Sequence, residues 1–119
     1  MRKTGAAGKP SRAYAKTITD AGLDELIEEA TVDCYNESEQ LPGIFRMLEE
    51  HLETQFTTHL LGVEVVAERV ELTDGNGIAA VCLRGSNRQR TSVLDLPLPH
   101  HGPAGAEWVE AYRRWSRWR

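Results

Sequence analysis

The sequence has few cysteines and no long apolar run. Its 119 residues include only two cysteines, Cys34 and Cys82, which stand far apart and in no CxxC pair. A small secreted domain held by disulfides would need more of them, so we expect two buried thiols in a reducing compartment. No stretch approaches the roughly 20 apolar residues that span a bilayer. The charged start, Met1–Pro10, has no apolar run behind it, as a signal peptide would. These absences predict a soluble cytoplasmic protein that does not contact a membrane.

Motifs of common enzymes are also missing. The sequence has no Gly-rich phosphate-binding loop and no nucleophile elbow. Its histidines show no ligand-pair spacing apart from the adjacent His100 and His101, which disfavours a zinc site. Cys34 with His59 as its base is the nucleophilic pair to consider, and the acidic neighbours of Cys34 disfavour a reactive thiolate. We therefore expect a protein that is not an enzyme.

Charge is abundant and unevenly distributed. Residues 1–16 contain five basic residues and no acidic one. Residues 17–77 contain fifteen acidic residues against two arginines, a net charge of −13, whereas residues 78–119 carry a net charge of +4. The negative middle of the chain should concentrate cations around it. A nucleic-acid-binding protein would carry the opposite sign on its main surface, so nucleic acid is not an expected partner.

Apolar spacing predicts two helices in the first half of the chain. The first should run from about Leu23 to Cys34, with Asp20 as a possible N-cap. The second should run from about Ser38 to Glu53 and begin just before Pro42, because proline is tolerated in the first turn of a helix.

Alternating apolar residues then predict strands. Residues 63–72 and 78–83 flank Asp74–Gly77, whose Asp-Gly-Asn-Gly sequence is a strong hairpin-turn signal. An EF-hand loop aligned on Gly77 would place Leu72 and Leu83 at ligand positions, which excludes an EF-hand. A third strand is predicted at Thr91–Leu96, where two prolines follow.

The last predicted element is a helix with an aromatic stripe. Trp108, Tyr112 and Trp115 fall on one side of it, a spacing that favours core packing over an exposed binding surface. The whole order predicts an α+β fold with two N-terminal helices, a small antiparallel sheet or partial barrel, and one C-terminal helix. Residues 1–18 should form a mobile basic arm and residues 19–119 a single domain.

Oxygen ligands are most concentrated in the segment 33–39. It contains three carboxylates, one amide and one hydroxyl without any basic residue, and Ca²⁺ requires six to eight such hard oxygens. A helix that persisted to Glu37 would place Asp33 one turn away on the same face. A helix that ended near Tyr35 would instead bring Asn36 and Glu39 back towards Asp33. The same residues are also typical of helix caps facing water, so the pattern alone leaves both interpretations open.

This segment resembles a known family. Residues 32–39 are similar to the D-x-Y-x-E-x-E signature of the cyanobacterial-type calcium-binding proteins, the CcbP family. The resemblance continues through residues 52–63, which contain an F-T-x-x-x-L-G-x-x-V-like run, through 94–96 and into the aromatic C-terminal helix, so it covers roughly residues 22–116.

The resemblance implies Ca²⁺ binding by clustered surface carboxylates in a domain that is not an EF-hand. It carries Asp33, Glu37 and Glu39 over as metal ligands, with Asn36 in the same segment and Asp95 as a further position. Family members often have acids where this chain has Asn36 and Ser38, and fewer ligand charges predict a lower affinity.

Two functions follow from the sequence. The first is a non-catalytic calcium buffer or sensor in signalling, with Ca²⁺ as its cofactor. The alternative is a protein-interaction module without a metal, in which the sheet or exposed aromatic residues hold an unidentified protein partner and the acidic helices are merely solvated.

Overall fold

The computed structural model describes residues 18–74 and 77–118, which fold into three helices and a four-stranded sheet. The predicted basic arm lies outside the described residues except for Ile18. The predicted α+β fold is confirmed. Its elements in chain order are α1 (Asp20–Thr31), α2 (Glu37–His51), β1 (Phe56–Leu60), β2 (Val63–Leu72), β3 (Ile78–Arg84), β4 (Asn87–Ser92), a short 3-10 turn (Val93–Asp95) and α3 (Ala106–Trp118).

Helix α1 is shifted towards the N-terminus relative to its prediction. Thr19 rather than Asp20 is its N-cap, because the Thr19 hydroxyl accepts a hydrogen bond from the Gly22 N–H at 3.0 Å. The helix ends at Thr31, and the predicted end at Cys34 is wrong by three residues. The apolar pattern runs past this end because the half-buried Cys34 belongs to the connection that folds back onto α2.

Helix α2 also starts earlier than predicted. Asn36 is its N-cap and Glu37 its first residue, so Pro42 lies in the second turn, where it removes one hydrogen bond from the helical ladder. The helix ends at His51, two residues before its predicted end at Glu53, and the backbone is extended at Leu52.

The sheet is an antiparallel meander in the order β1-β2-β3-β4. The predicted hairpin of β2 and β3 is confirmed, with Leu72 opposite Ile78, although Gly75 and Asn76 of its turn lie outside the described residues. Strands β1 and β4 are at opposite edges and do not pair, so the sheet is open rather than a partial barrel.

Strand β1 has no counterpart in the predicted elements. It joins β2 through the two-residue turn of Leu61 and Gly62, which have φ angles of 53° and 81°. Asn-Gly is the usual sequence for such a turn, because both positions require a positive φ. A leucine at the first position therefore concealed the turn from a sequence-based prediction.

The third predicted strand, Thr91–Leu96, is wrong in position. Strand β4 ends at Ser92, and the chain then turns so that Val93 and Leu96 enter the core, with exposed fractions of 0% and 1%. The guanidinium of Arg113 donates hydrogen bonds to the backbone carbonyls of Val93 and Leu96 and fixes this turn.

Helix α3 completes the core, as its aromatic stripe predicted. Trp108, Tyr112 and Trp115 are 4%, 2% and 9% exposed. The Tyr112 hydroxyl accepts a hydrogen bond from the Ile78 N–H at 3.0 Å, and the Trp115 indole donates one to the Gln40 side chain at 2.9 Å. The helix packs mainly against α1 and α2 and reaches the sheet at the start of β3.

The two faces of the sheet differ. Ile78, Ala80 and Cys82 of β3 point towards the helices and belong to the core cluster. The alternate residues of β3 point to the opposite face, called the outer face below, which also carries side chains from the neighbouring strands. Its central members, grouped by register, are Glu71, Ala79 and Ser92; Arg69, Val81 and Arg90; and Val66, Leu83 and Arg88.

Candidate functional site

The segment rich in oxygen ligands, residues 33–39, spans the connection between α1 and α2 and the first turn of α2. Gly43 of α2 lies so close to the last turn of α1 that a Cβ at this position would be 2.5 Å from the carbonyl oxygen of Ala30. The Cys34 N–H donates to the carbonyl of Thr31 at 3.0 Å, and the Cys34 thiol donates to the carbonyl of Glu39 at 3.3 Å. These contacts hold residues 32–36 as a tight bend against the start of α2.

Two of the predicted metal ligands cap α2. The Asn36 Oδ1 accepts hydrogen bonds from the Glu39 N–H at 3.1 Å and from the Ser38 hydroxyl at 2.6 Å. The Glu39 Oε1 accepts in return from the Tyr35 N–H at 2.9 Å. The Glu39 side chain thus satisfies the Tyr35 N–H, and the Asn36 side chain gives a second acceptor to the Glu39 N–H, which also donates to the Asn36 carbonyl at 3.1 Å. The structure therefore brings Asn36 and Glu39 together and uses one oxygen of each for capping.

The other predicted ligands are less tightly grouped. Asp33 and Glu37 are exposed, and they do not share a helix face because α1 ends at Thr31. Asp95 lies in the 3-10 turn, which packs against α3 and β3. Over residues 18–74 and 77–118, no three His, Cys, Asp or Glu side chains lie close enough together to hold a metal ion. A cation at the connection would have to draw exposed carboxylates inwards.

Among the residues that the structure describes, the acidic side chains of α1 form salt bridges only in its N-terminal half. At its N-terminal half, Arg114 of α3 forms salt bridges with Asp24 at 2.7 Å and with Asp20 at 3.6 Å. The hydrogen bond that the Arg114 Nε donates to Asp24 lowers the pKa of this carboxyl below its ordinary value. The last turn of α1 contains no basic residue.

The C-terminal end of α1 is correspondingly negative. Glu28 and Glu29 are exposed in its last turn, Asp33 follows in the connection, and Glu39 lies in the first turn of α2. In the described part of the chain, none of these four carboxylates forms a salt bridge. The free carbonyl groups of a helix C-terminus add partial negative charge of about half an electron. The connection is therefore a place where a cation would be electrostatically favoured.

The connection also exposes two large side chains, one of which is the tyrosine of the D-x-Y-x-E-x-E signature. Val32 is 73% exposed and Tyr35 is 92% exposed. Exposure of a large aromatic side chain beside carboxylates gives a spectroscopic reporter for this segment, because its absorbance and fluorescence respond to nearby changes.

The cysteines and histidines that were weighed for other chemistry are dispersed. Cys82 is buried in the sheet, where burial raises the pKa of its thiol, and Cys34 is half-buried in the connection. The His51 ring stacks on Trp108 at 5.6 Å, whereas His100 and His101 contact each other edge to face. The structure thus places these residues at separate positions in the fold.

Comparison with known proteins adds no further assignment. No protein-family model, curated protein or solved structure matches this chain. None of the helices described is long and apolar enough to cross a membrane.

Proposed function

We propose that this protein is a non-catalytic calcium-binding protein whose site is the connection between α1 and α2. The single observation that carries the proposal is the negative charge at the C-terminal end of α1, where Glu28, Glu29 and Asp33 form no salt bridge within residues 18–74 and 77–118. The similarity of residues 32–39 to the signature of the calcium-binding family supports the same segment. A location in the cytoplasm belongs to the proposal, and the two free thiols fit it.

The hydrogen bonds of the connection suggest how the ligands would divide their roles. Asp33 and Glu37 would supply carboxylates, and Glu39 would supply the oxygen that does not accept from Tyr35. The Asn36 Oδ1 already accepts two hydrogen bonds, so Asn36 would hold the bend rather than the ion. Water and carbonyl groups at the end of α1 would complete the six to eight oxygens that Ca²⁺ requires.

The proposal also predicts modest affinity and selectivity for Ca²⁺ over Mg²⁺. Three carboxylates on exposed side chains must be ordered when the ion binds, which costs conformational entropy. A flexible ligand set of this kind suits Ca²⁺, because Mg²⁺ demands near-octahedral geometry at about 2.0–2.1 Å and dehydrates reluctantly. Such a site fits a buffer, or a sensor that responds when calcium rises.

The experiment is a calorimetric titration of Ca²⁺ into two double variants with the same net charge. Glu37→Gln/Glu39→Gln removes two proposed ligands but keeps an amide oxygen that can accept the Tyr35 N–H. Glu49→Gln/Glu50→Gln removes two exposed carboxylates from the other end of α2. We expect the first variant to bind Ca²⁺ at least tenfold more weakly, about 1.4 kcal/mol, and the second to bind like the unmodified protein.

An equal loss of Ca²⁺ affinity in both variants would mean that Ca²⁺ is attracted only by the overall negative charge of the surface. Unchanged binding in both would place the ion elsewhere, with Asp74 and Asp95 the next carboxylates to replace. Absence of measurable Ca²⁺ binding to the unmodified protein would contradict the proposal as a whole.

The alternative function, a protein-interaction module, had the sheet and the aromatic stripe of α3 as candidate surfaces, and the stripe is buried. Its aromatic version needed an exposed stripe on α3, and Trp108, Tyr112 and Trp115 are buried. The sheet remains as a surface for a partner, since no further strand of the described residues pairs with the outer side of β4.

A further inference from the structure

Strand β4 is a free edge of the sheet. It pairs with β3 on one side, and no other strand of residues 18–74 or 77–118 pairs with its second side. Residues 87–90 are all exposed. Gly85 and Ser86 form a two-residue turn between β3 and β4 that places Asn87 opposite Arg84. The backbone N–H and C=O groups of Arg88 and Arg90 therefore point away from β3. These groups can accept another extended chain as a fifth strand.

The arginines on this edge are held in place by glutamates of β2. On the outer face, Arg88 donates through its Nε to Glu68 at 3.2 Å, and Arg90 donates through its Nε to Glu71 at 2.9 Å. Arg69 lies between the two glutamates and forms salt bridges with both, at 3.0 and 2.9 Å. Its hydrogen bond to Glu71 lowers the pKa of that carboxyl, which favours the ionised form that Arg69 and Arg90 contact.

In this network, the terminal Nη groups of Arg88 and Arg90 can still donate hydrogen bonds to a partner. Arg88 and Arg90 contact the glutamates through Nε, and within the described residues their terminal Nη groups make no hydrogen bond. Their side chains are 59% and 69% exposed. A guanidinium that is already oriented loses less side-chain entropy when it binds a carboxylate.

The spacing of these arginines specifies the partner. Residues two apart on a strand lie on the same face, about 6.5–7 Å from each other. An added strand would therefore match them with acidic residues at alternate positions, and opposite-charge cross-strand pairs stabilise a sheet. A second copy of this edge would instead place arginines opposite arginines, which disfavours self-association through β4.

We propose that β4 is a docking edge for an extended acidic polypeptide segment, which adds as a fifth strand and pairs alternating carboxylates with Arg88 and Arg90. This inference is independent of calcium binding at the α1–α2 connection. It rests on the open backbone edge together with the two oriented guanidinium groups.

The test uses the full chain and a fluorescein-labelled peptide with the alternating sequence Thr-Glu-Thr-Glu-Thr-Glu-Thr, measured by fluorescence anisotropy. Arg88→Gln/Arg90→Gln should weaken binding at least tenfold. Arg46→Gln/Arg117→Gln, which removes two exposed arginines from helices, should leave binding within about twofold. Thermal melts of both variants check that each is folded.

The peptide provides a second test that does not alter the protein. Two versions are N-methylated at alternate residues, one at the glutamates and one at the threonines, so that each blocks the backbone N–H groups of one peptide edge. If the peptide adds as a strand, one version should lose binding at least tenfold while the other retains it. This result would support the proposal even if an arginine variant failed to fold.

Three outcomes would overturn the proposal. Equal binding of both methylated peptides would show attraction by charge without strand pairing. Equal loss in the two arginine variants would show a non-specific electrostatic effect. Stronger competition by inorganic polyphosphate than by excess unlabelled peptide would assign the edge to phosphate polymers instead.

Discussion

Arg114 shows how one side chain joins distant parts of this chain. It is mostly covered, and its guanidinium bridges α3 to Asp20 and Asp24 of α1. Charge counting predicted an excess of acids in this region, but it could not predict which acids are neutralised. Asp24 and Arg114 lie 90 positions apart in the sequence and meet only after the helices pack.

This pair gives stability a defined pH dependence. The folded protein holds the pKa of Asp24 below its unfolded value, chiefly through the hydrogen bond from Arg114, so the ionised carboxylate stabilises the fold at neutral pH. That contribution is lost as the pH falls below about 4 and through the lowered folded value. Asp24→Asn should therefore lower the melting temperature at pH 7, and the difference from the unmodified protein should shrink towards pH 2. A difference that stayed constant over this range would contradict the assignment.

Residues 36 and 39 show the limit of sequence reasoning about the site. The amide oxygen of Asn36 and the carboxylate of Glu39 are suitable both for a metal and for a helix cap, and the sequence contains no signal that separates the two uses. Their hydrogen bonds show that one oxygen of each is engaged at the start of α2. Of these two side chains, only Glu39 therefore has a second oxygen that could bind the proposed ion.

The helices were predictable because their apolar residues recur at a helical period, and the β2–β3 hairpin because Asp-Gly-Asn-Gly separates two alternating segments. Strand β1 could not be predicted, because Leu61 occupies a turn position where asparagine is the usual residue. Strand β4 was misplaced because residues 87–90 are exposed on both faces and show no apolar alternation. The apolar Val93 and Leu96, which suggested a strand, enter the core from a turn.

Gly43 gives a prediction about the packing of α1 against α2. In an exposed helix interior, replacing glycine with alanine gains about 1 kcal/mol of stability. Here the new methyl group would lie 2.5 Å from the backbone oxygen of Ala30, so Gly43→Ala should instead cost about 1–3 kcal/mol in urea denaturation. Gly22→Ala is the comparison, because the atoms nearest to its methyl group are side-chain atoms of Ile18, at 2.8 Å, and of Thr19, at 3.4 Å, which can move more easily than a helix backbone. A gain of stability in Gly43→Ala would show that the two helices do not approach so closely.

The charge distribution of the whole molecule predicts how calcium affects stability. Residues 17–77 carry a net charge of −13, and a bound cation would relieve part of their mutual repulsion. Millimolar Ca²⁺ should therefore raise the melting temperature more than NaCl at equal ionic strength, since NaCl only screens whereas a specific ligand also stabilises by mass action. Glu37→Gln/Glu39→Gln should lose this additional increase. Identical increases of the melting temperature with the two salts would show that Ca²⁺ only screens the acidic surface and has no specific site.

The position of the ion is tested most directly by NMR. A series of ¹H–¹⁵N spectra recorded during a Ca²⁺ titration follows the backbone amides of the whole chain in one experiment. We expect the largest shifts on residues 32–39, with smaller changes in the last turn of α1 and none in β4. Shifts centred on Asp74 or Asp95, or shifts that Mg²⁺ reproduces at the same concentration, would contradict a calcium site at the α1–α2 connection.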